Sequence, residues 1–153
     1  MRLGLHTVDR NDPDPKALAC YGLWLPARER MLLRFVDGRP VSPVTCAFLA
    51  WAAEHLAAEG VRVLALIWGN ASWHISREVR DWIRTHNRDA KRTGHGCRLP
   101  SKSPWLNPIE PKWVHGKRAI VEPARKLTAT ELKQRLCEHY RAPLLPPLAQ
   151  QVV

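Results

Sequence analysis

Glu110 sits in the most tightly patterned stretch of this chain, Ser103-Pro104-Trp105-Leu106-Asn107-Pro108-Ile109-Glu110-Pro111-Lys112-Trp113. Asn107 suits a helix N-cap, where its side chain accepts a hydrogen bond from the free N–H groups of the first turn. Pro108 suits the next position, because its missing N–H costs nothing there. Glu110 then falls third, where the helix dipole favours a carboxylate and a capping box can close. The spacing therefore predicts a helix starting at Asn107. Lys112, Lys117 and Arg118 follow on that helix, either as phosphate contacts or as solvated surface. Trp105 and Trp113 either stack on bases or pack the helix start.

A second group of chemically active residues is cationic. Arg77, Arg80, Arg84 and Arg88 fall three or four apart and make one ridge of a helix. Like charges at that spacing repel, which points to an anionic partner. The chain carries a net charge of +10, unevenly placed. Residues 1–75 hold 8 Lys/Arg against 7 Asp/Glu, whereas residues 76–153 hold 16 against 7. A basic half beside a neutral half is the pattern of a phosphate-binding face, the alternative being an ordinary solvated surface.

The Glu110 stretch resembles the SPxLNPIExxW signature of bacterial insertion-sequence transposases related to mariner elements. A second match lies upstream, where Leu64-Ala65-Leu66-Ile67-Trp68-Gly69-Asn70-Ala71-Ser72-Trp73-His74 resembles their hydrophobic strand followed by DNAxxH. The resemblance runs from about residue 6 to about residue 140. It implies a ribonuclease H-like α/β fold whose three acids hold two divalent metal ions, Mg²⁺ or Mn²⁺, for cleavage and strand transfer in DNA transposition. Glu110 matches the third acid and is the one metal ligand retained. Gly69 stands where the second acid belongs, followed by Asn70, whose neutral amide is a poor magnesium ligand. His74 matches the histidine near the active site, or is a loop histidine bonded to backbone. The first acid is expected on a strand before His6, outside the chain. Asp9, Asp12, Asp14 and Asp37 read as loop or turn residues.

These departures lead to the expectation of a truncated, non-catalytic transposase fragment, and the lack of a long apolar region at the N-terminus leads to the expectation of a cytoplasmic location. DNA is the expected partner, through Arg77, Arg80, Arg84, Lys102, Lys112, Lys117 and Arg118, and other transposase subunits are a further one. Two other readings stay open: half of a split active transposase, and a non-catalytic protein that binds DNA or inhibits intact subunits.

Several elements must position these residues. Two apolar runs, 17–25 and 31–36, predict a β-hairpin. Ser42 and Pro43 open a helix to about Glu59, with Val44, Phe48, Leu49, Ala52 and Leu56 on one stripe and Gly60 as stop. Residues 61–68 form an apolar run with one arginine, Arg62, read as a central strand covered on both faces. Ser76 opens the arginine helix, with Val79, Trp82 and Ile83 inward, ending near Gly94. Residues 94–100 offer almost no apolar run, so the strand the family pattern needs there is expected to be deleted. Thr128 and Glu131 form a capping box for a last helix to about Tyr140. The division is a partial catalytic domain over 1–141 and a frayed Pro-rich tail over 142–153. No run approaches the roughly 20 apolar residues of a membrane span. Cys20, Cys46, Cys97 and Cys137 lack metal-binding spacing and read as small buried hydrophobes.

Overall fold

The computed structural model describes residues 2–3, 18–68, 71–102, 108–120 and 127–149. The chain divides into two compact units, Met1–Arg39 with Pro108–Ala149, and Pro40–Asn107 with Gln150–Val153.

The first unit is built on the expected hairpin. Strands β1 (Arg2–Leu3), β2 (Leu18–Leu25) and β3 (Arg30–Asp37) are antiparallel, with Cys20 opposite Phe35 and Gly22 opposite Leu33. A 3-10 turn at Pro26–Arg28 joins β2 to β3, closing on Glu29 at φ 47°. Both faces of the hairpin are largely buried, so its sequence reads as continuous apolar runs instead of an alternation. One face, carrying Leu18, Cys20, Met31, Leu33 and Phe35, is covered by two helices, α4 (Ile109–Ile120) and α5 (Ala129–Tyr140). Trp113, Ile120, Leu132, Leu136 and Cys137 descend from these helices into the same core. The α5 capping box forms as expected: Thr128 Oγ1 accepts from the Glu131 N–H at 3.2 Å, and the Glu131 carboxylate accepts from the Thr128 N–H at 2.8 Å.

The short β1 pairs with the start of β2, at Ala19 and Leu18, and carries no acid. The stretch read as a frayed tail supplies β6 (Leu148–Ala149), parallel to β3 at Val36 and Asp37. The Arg34 guanidinium adds a 2.7 Å hydrogen bond to the Pro146 carbonyl.

The second unit packs helix α1 (Ser42–Ala58) against α2 (Ser72–Ile75) and α3 (Arg77–Thr93). Val44, Phe48, Leu49, Ala52 and Leu56 are buried, the stripe read from their spacing. Val41, one residue before Ser42, takes the N-cap position. Gly60, at φ 86°, ends α1 in a Schellman turn, in which Val61 N–H reaches the Leu56 carbonyl and Gly60 N–H the Ala57 carbonyl. Ser76 caps α3 by accepting from the Val79 N–H at 3.2 Å, and left-handed Gly94 ends it.

Residues 94–100, where the strand was expected to be missing, hold a bridge residue, Arg98, and a short strand follows them. Strands β4 (Leu66–Ile67) and β5 (Ser101–Lys102) pair in parallel, and a bridge joins Val63 to Arg98. Three backbone bonds complete the ladder, Arg98 N–H to Arg62, Leu64 N–H to Arg98 and Leu66 N–H to Pro100, at 2.8–2.9 Å. Two α3 side chains hold that segment: His86 Nε2–H donates to the Cys97 carbonyl, and Asn87 Oδ1 accepts from the Leu99 N–H, both at 2.7 Å. Cys97 and Leu99 are fully buried, so two apolar residues anchor what a longer apolar run was expected to make. The 61–68 run is also not covered on both faces, since Val63 and Ile67 are exposed while Leu66 is buried.

The cysteines behave as buried hydrophobes. Cys46 is half-buried and Cys20, Cys97 and Cys137 are buried. Burial pushes the Cys20 thiol up to about 11, away from nucleophilic reactivity at neutral pH.

Candidate functional site

Glu110 lies in the first turn of α4 and is exposed. The dipole of a 12-residue helix favours its carboxylate there. Asn107, its expected capping partner, lies outside the described residues, as do Gly69, Asn70 and Trp105.

The position of the Glu110 helix is fixed by contacts distant in sequence. Trp113 is buried and its ring lies over Gly22 of β2, where a Cβ would fall well inside van der Waals contact. The Tyr140 ring occupies the corresponding place over Gly116. It meets Trp113 edge-to-face, with centroids 5.6 Å apart and planes at 89°. Its hydroxyl donates to the Lys112 carbonyl at 2.6 Å. At the other end of α4, Arg135 Nη1 donates to the Ile120 carbonyl at 3.3 Å, satisfying one of the carbonyls that a helix end leaves open. Gly22, Gly116, Arg135 and Tyr140 therefore position α4, and none was singled out by its spacing.

The cations following Glu110 divide into two kinds. Lys112 Nζ sits 4.2 Å from the centroid of the Trp24 ring, a cation–π contact that holds the ammonium against β2. That placement gives Lys112 a packing role beside the phosphate contact expected of it. Lys117 and Arg118 are exposed. Lys117, seven residues after Glu110, lies on the same face about 10 Å along the axis.

The remaining candidates belong to the second unit. His74, in the short helix α2, stacks on Trp68 with centroids 5.5 Å apart and planes at 18°, and meets Trp73 edge-on at 6.0 Å. It is half-buried and its N–H bonds the Ala71 carbonyl at 2.8 Å, so ring packing and backbone bonding account for its position. Lys102 ends β5, and its side chain lies outside the described residues.

Arg77, Arg80, Arg84 and Arg88 all emerge exposed from α3, as their spacing requires. The ridge also carries an acid. Asp81 stands within it, 3.6 Å from Arg77 Nε and 3.2 Å from Arg84 Nη1. Its carboxylate takes up part of the repulsion, although pairs this exposed contribute little stability. The row also runs further than the four residues singled out: Lys91 and Arg92 continue it into the last turn. Arg92 completes a series of four arginines at four-residue steps from Arg80, a regularity visible in the sequence.

Among the described residues no group of three or more His, Cys, Asp or Glu side chains is placed to hold a metal ion. No helix among them is long and apolar enough to cross a membrane. No curated protein and no solved structure matches the chain. Residues 29–133, more than two thirds of its 153 residues, match the DDE superfamily endonuclease family. That match runs from the start of β3 into α5 and takes in both the Glu110 helix and the arginine helix. The chain belongs to the DDE superfamily endonucleases, a transposase-type family of DNA-cleaving proteins.

Proposed function

We propose that this chain is a mariner-related insertion-sequence member of the family that binds DNA without cutting it. The observation that carries the reading is glycine at position 69, two residues beyond β4. Enzymes of the family generally use divalent metals, which stabilise the attacking and leaving oxygens of an in-line phosphoryl displacement. Such ions need hard oxygen ligands, with carboxylates foremost. Glycine supplies none, and the amide of Asn70 is neutral. Glu110 is one exposed carboxylate, and the described residues add no convergent group. The donor set does not fit a metal pair.

DNA binding needs no such centre. It rests on the family membership and on the cationic side chains exposed on α3 and α4. DNA is then the principal partner, and other subunits of the same transposase type are a second.

Incubation of the purified chain with supercoiled plasmid and Mg²⁺ or Mn²⁺, beside Glu110→Ala, tests this reading. The expected result is retention of plasmid, weakening steeply with salt, and no nicking by either protein. Nicking that vanishes with Glu110→Ala would show that other groups complete the centre.

A further inference from the structure

The basic side chains of α3 occupy a restricted part of its circumference. At about 100° per residue, Arg77, Arg80, Arg84, Arg88, Lys91 and Arg92 all fall within an arc of about 120°. All six are exposed. Fifteen residues separate the first from the last, a length of about 22 Å along the axis. The opposite side of the helix carries buried Val79 and Ile83 and the side chains that hold the 97–99 segment. Asp81 is the one acid inside the arc; Glu78 and Asp89 lie outside it.

An array of this kind needs an anionic partner with regularly spaced charges. A nucleic-acid duplex presents such charges, a phosphate for about every 3.4 Å of its axis on each strand. The helix carries six cations over its length of about 22 Å, enough to meet several phosphates at once. Bases are not offered a comparable surface. Single-stranded binding relies on aromatic faces interleaved with the cations, and the aromatic residues of α3 are turned elsewhere. Trp82 and His86 stack on one another, 4.9 Å apart with planes at 10°, and His86 is bonded to the Cys97 carbonyl.

We infer that α3 is the surface on which this chain binds duplex DNA, tracking phosphates independently of base sequence, with Arg80, Arg84, Arg88 and Arg92 as its principal contacts. The inference rests on the DNA-binding reading above and narrows it to one helix of the second unit, with the cations of the Glu110 helix secondary.

Fluorescence anisotropy with a labelled duplex of about 30 base pairs and a single strand of equal length tests it, over a range of salt. Four proteins are compared: the unaltered chain, R80Q/R84Q/R88Q/R92Q, R80K/R84K/R88K/R92K, and K117Q/R118Q. At about 0.9 per neutralised phosphate, the glutamine variant should lose about 3.6 from the slope of log affinity against log salt. The lysine variant should keep the slope to within about 1, because it preserves charge while changing the same four side chains. K117Q/R118Q should bind nearly as the unaltered chain does. A glutamine variant that binds undiminished overturns the inference, as does a loss confined to K117Q/R118Q. Tighter binding of the single strand overturns it in favour of a stacking surface. A lysine variant as weak as the glutamine variant overturns the phosphate-tracking account. Failure of the unaltered chain to bind duplex at all removes the DNA-binding reading itself, a separate outcome.

Discussion

The Tyr140 hydroxyl donates to the main-chain carbonyl of Lys112 at 2.6 Å, tying the last turn of α5 to the first turn of α4. The ring that carries it lies over Gly116, so the bond and the close helix approach depend on one another. Gly116→Ala forces its new methyl into the phenol and is expected to destabilise the chain by about 1–3 kcal/mol, as overpacking does. Tyr140→Phe keeps the ring and removes the donor, at about 1 kcal/mol. Urea unfolding of both variants checks the order, Gly116→Ala being the more damaging.

Gly22 and Trp113 make the corresponding contact between β2 and α4. Trp113→Ala opens a cavity in the core and should cost about 3–5 kcal/mol. Gly22→Ala should cost about 1–3 kcal/mol by overpacking. The double variant should be less unstable than the two losses added together, since the cavity leaves room for the new methyl. Additive losses in a thermal or urea series would show that the two sites do not share this space.

The first unit should lose stability in alkali. Burial raises the Cys20 thiol from 9.0 to about 11. Burial, with a smaller contribution from Cys20, raises Tyr140 from 10.0 to about 12. Both are neutral acids whose folded values lie above their unfolded ones, so their contribution is fully present below pH 9. It is lost as the pH rises through about 9–11 for Cys20 and about 10–12 for Tyr140. Circular dichroism at constant ionic strength should show falling stability across pH 9–12, less steep in Cys20→Ala.

Thr128→Ala removes the side-chain half of the capping box and should cost about 1 kcal/mol. Thr128→Ser keeps an acceptor oxygen and should cost less. Thermal melts of the pair distinguish loss of the cap from loss of the threonine methyl.

Asp81→Asn frees Arg77 and Arg84 from their carboxylate and removes the one acid within the basic arc. Duplex affinity at low salt should rise a few-fold, with a steeper salt dependence. Unchanged affinity would show that the DNA does not approach this part of α3.

Local chemistry in the sequence identified what local chemistry decides. Thr128 and Glu131 stand three residues apart and cap α5, Gly60 and Gly94 stop their helices, and the α1 stripe is buried where its period placed it. The pairing at Arg98 and β5 was hidden because its formation is not local. Cys97 and Leu99 anchor that segment, and His86, Asn87 and the 62–66 backbone supply the rest. The α3 ridge was legible as a row of arginines, but reading one sign of charge alone passed over Asp81. Lys112 looked like a free cation because Trp24, its partner, lies 88 residues away in sequence. The Glu110 helix was legible from its signature, whereas Gly22, Gly116 and Tyr140, which place it, became apparent only when strand and helices were brought together.

The parallel pairing of β6 with β3 has a consequence for synthesis. One margin of β3 is paired with β2, its neighbour in sequence, and on the other margin Val36 and Asp37 pair with Leu148–Ala149, made more than a hundred residues later. On the ribosome the end of β3 waits unpaired by Leu148–Ala149 while the intervening residues are made. An open strand margin is a template for pairing with other chains, so during that interval Val36 and Asp37 are exposed to pairing that β6 later excludes.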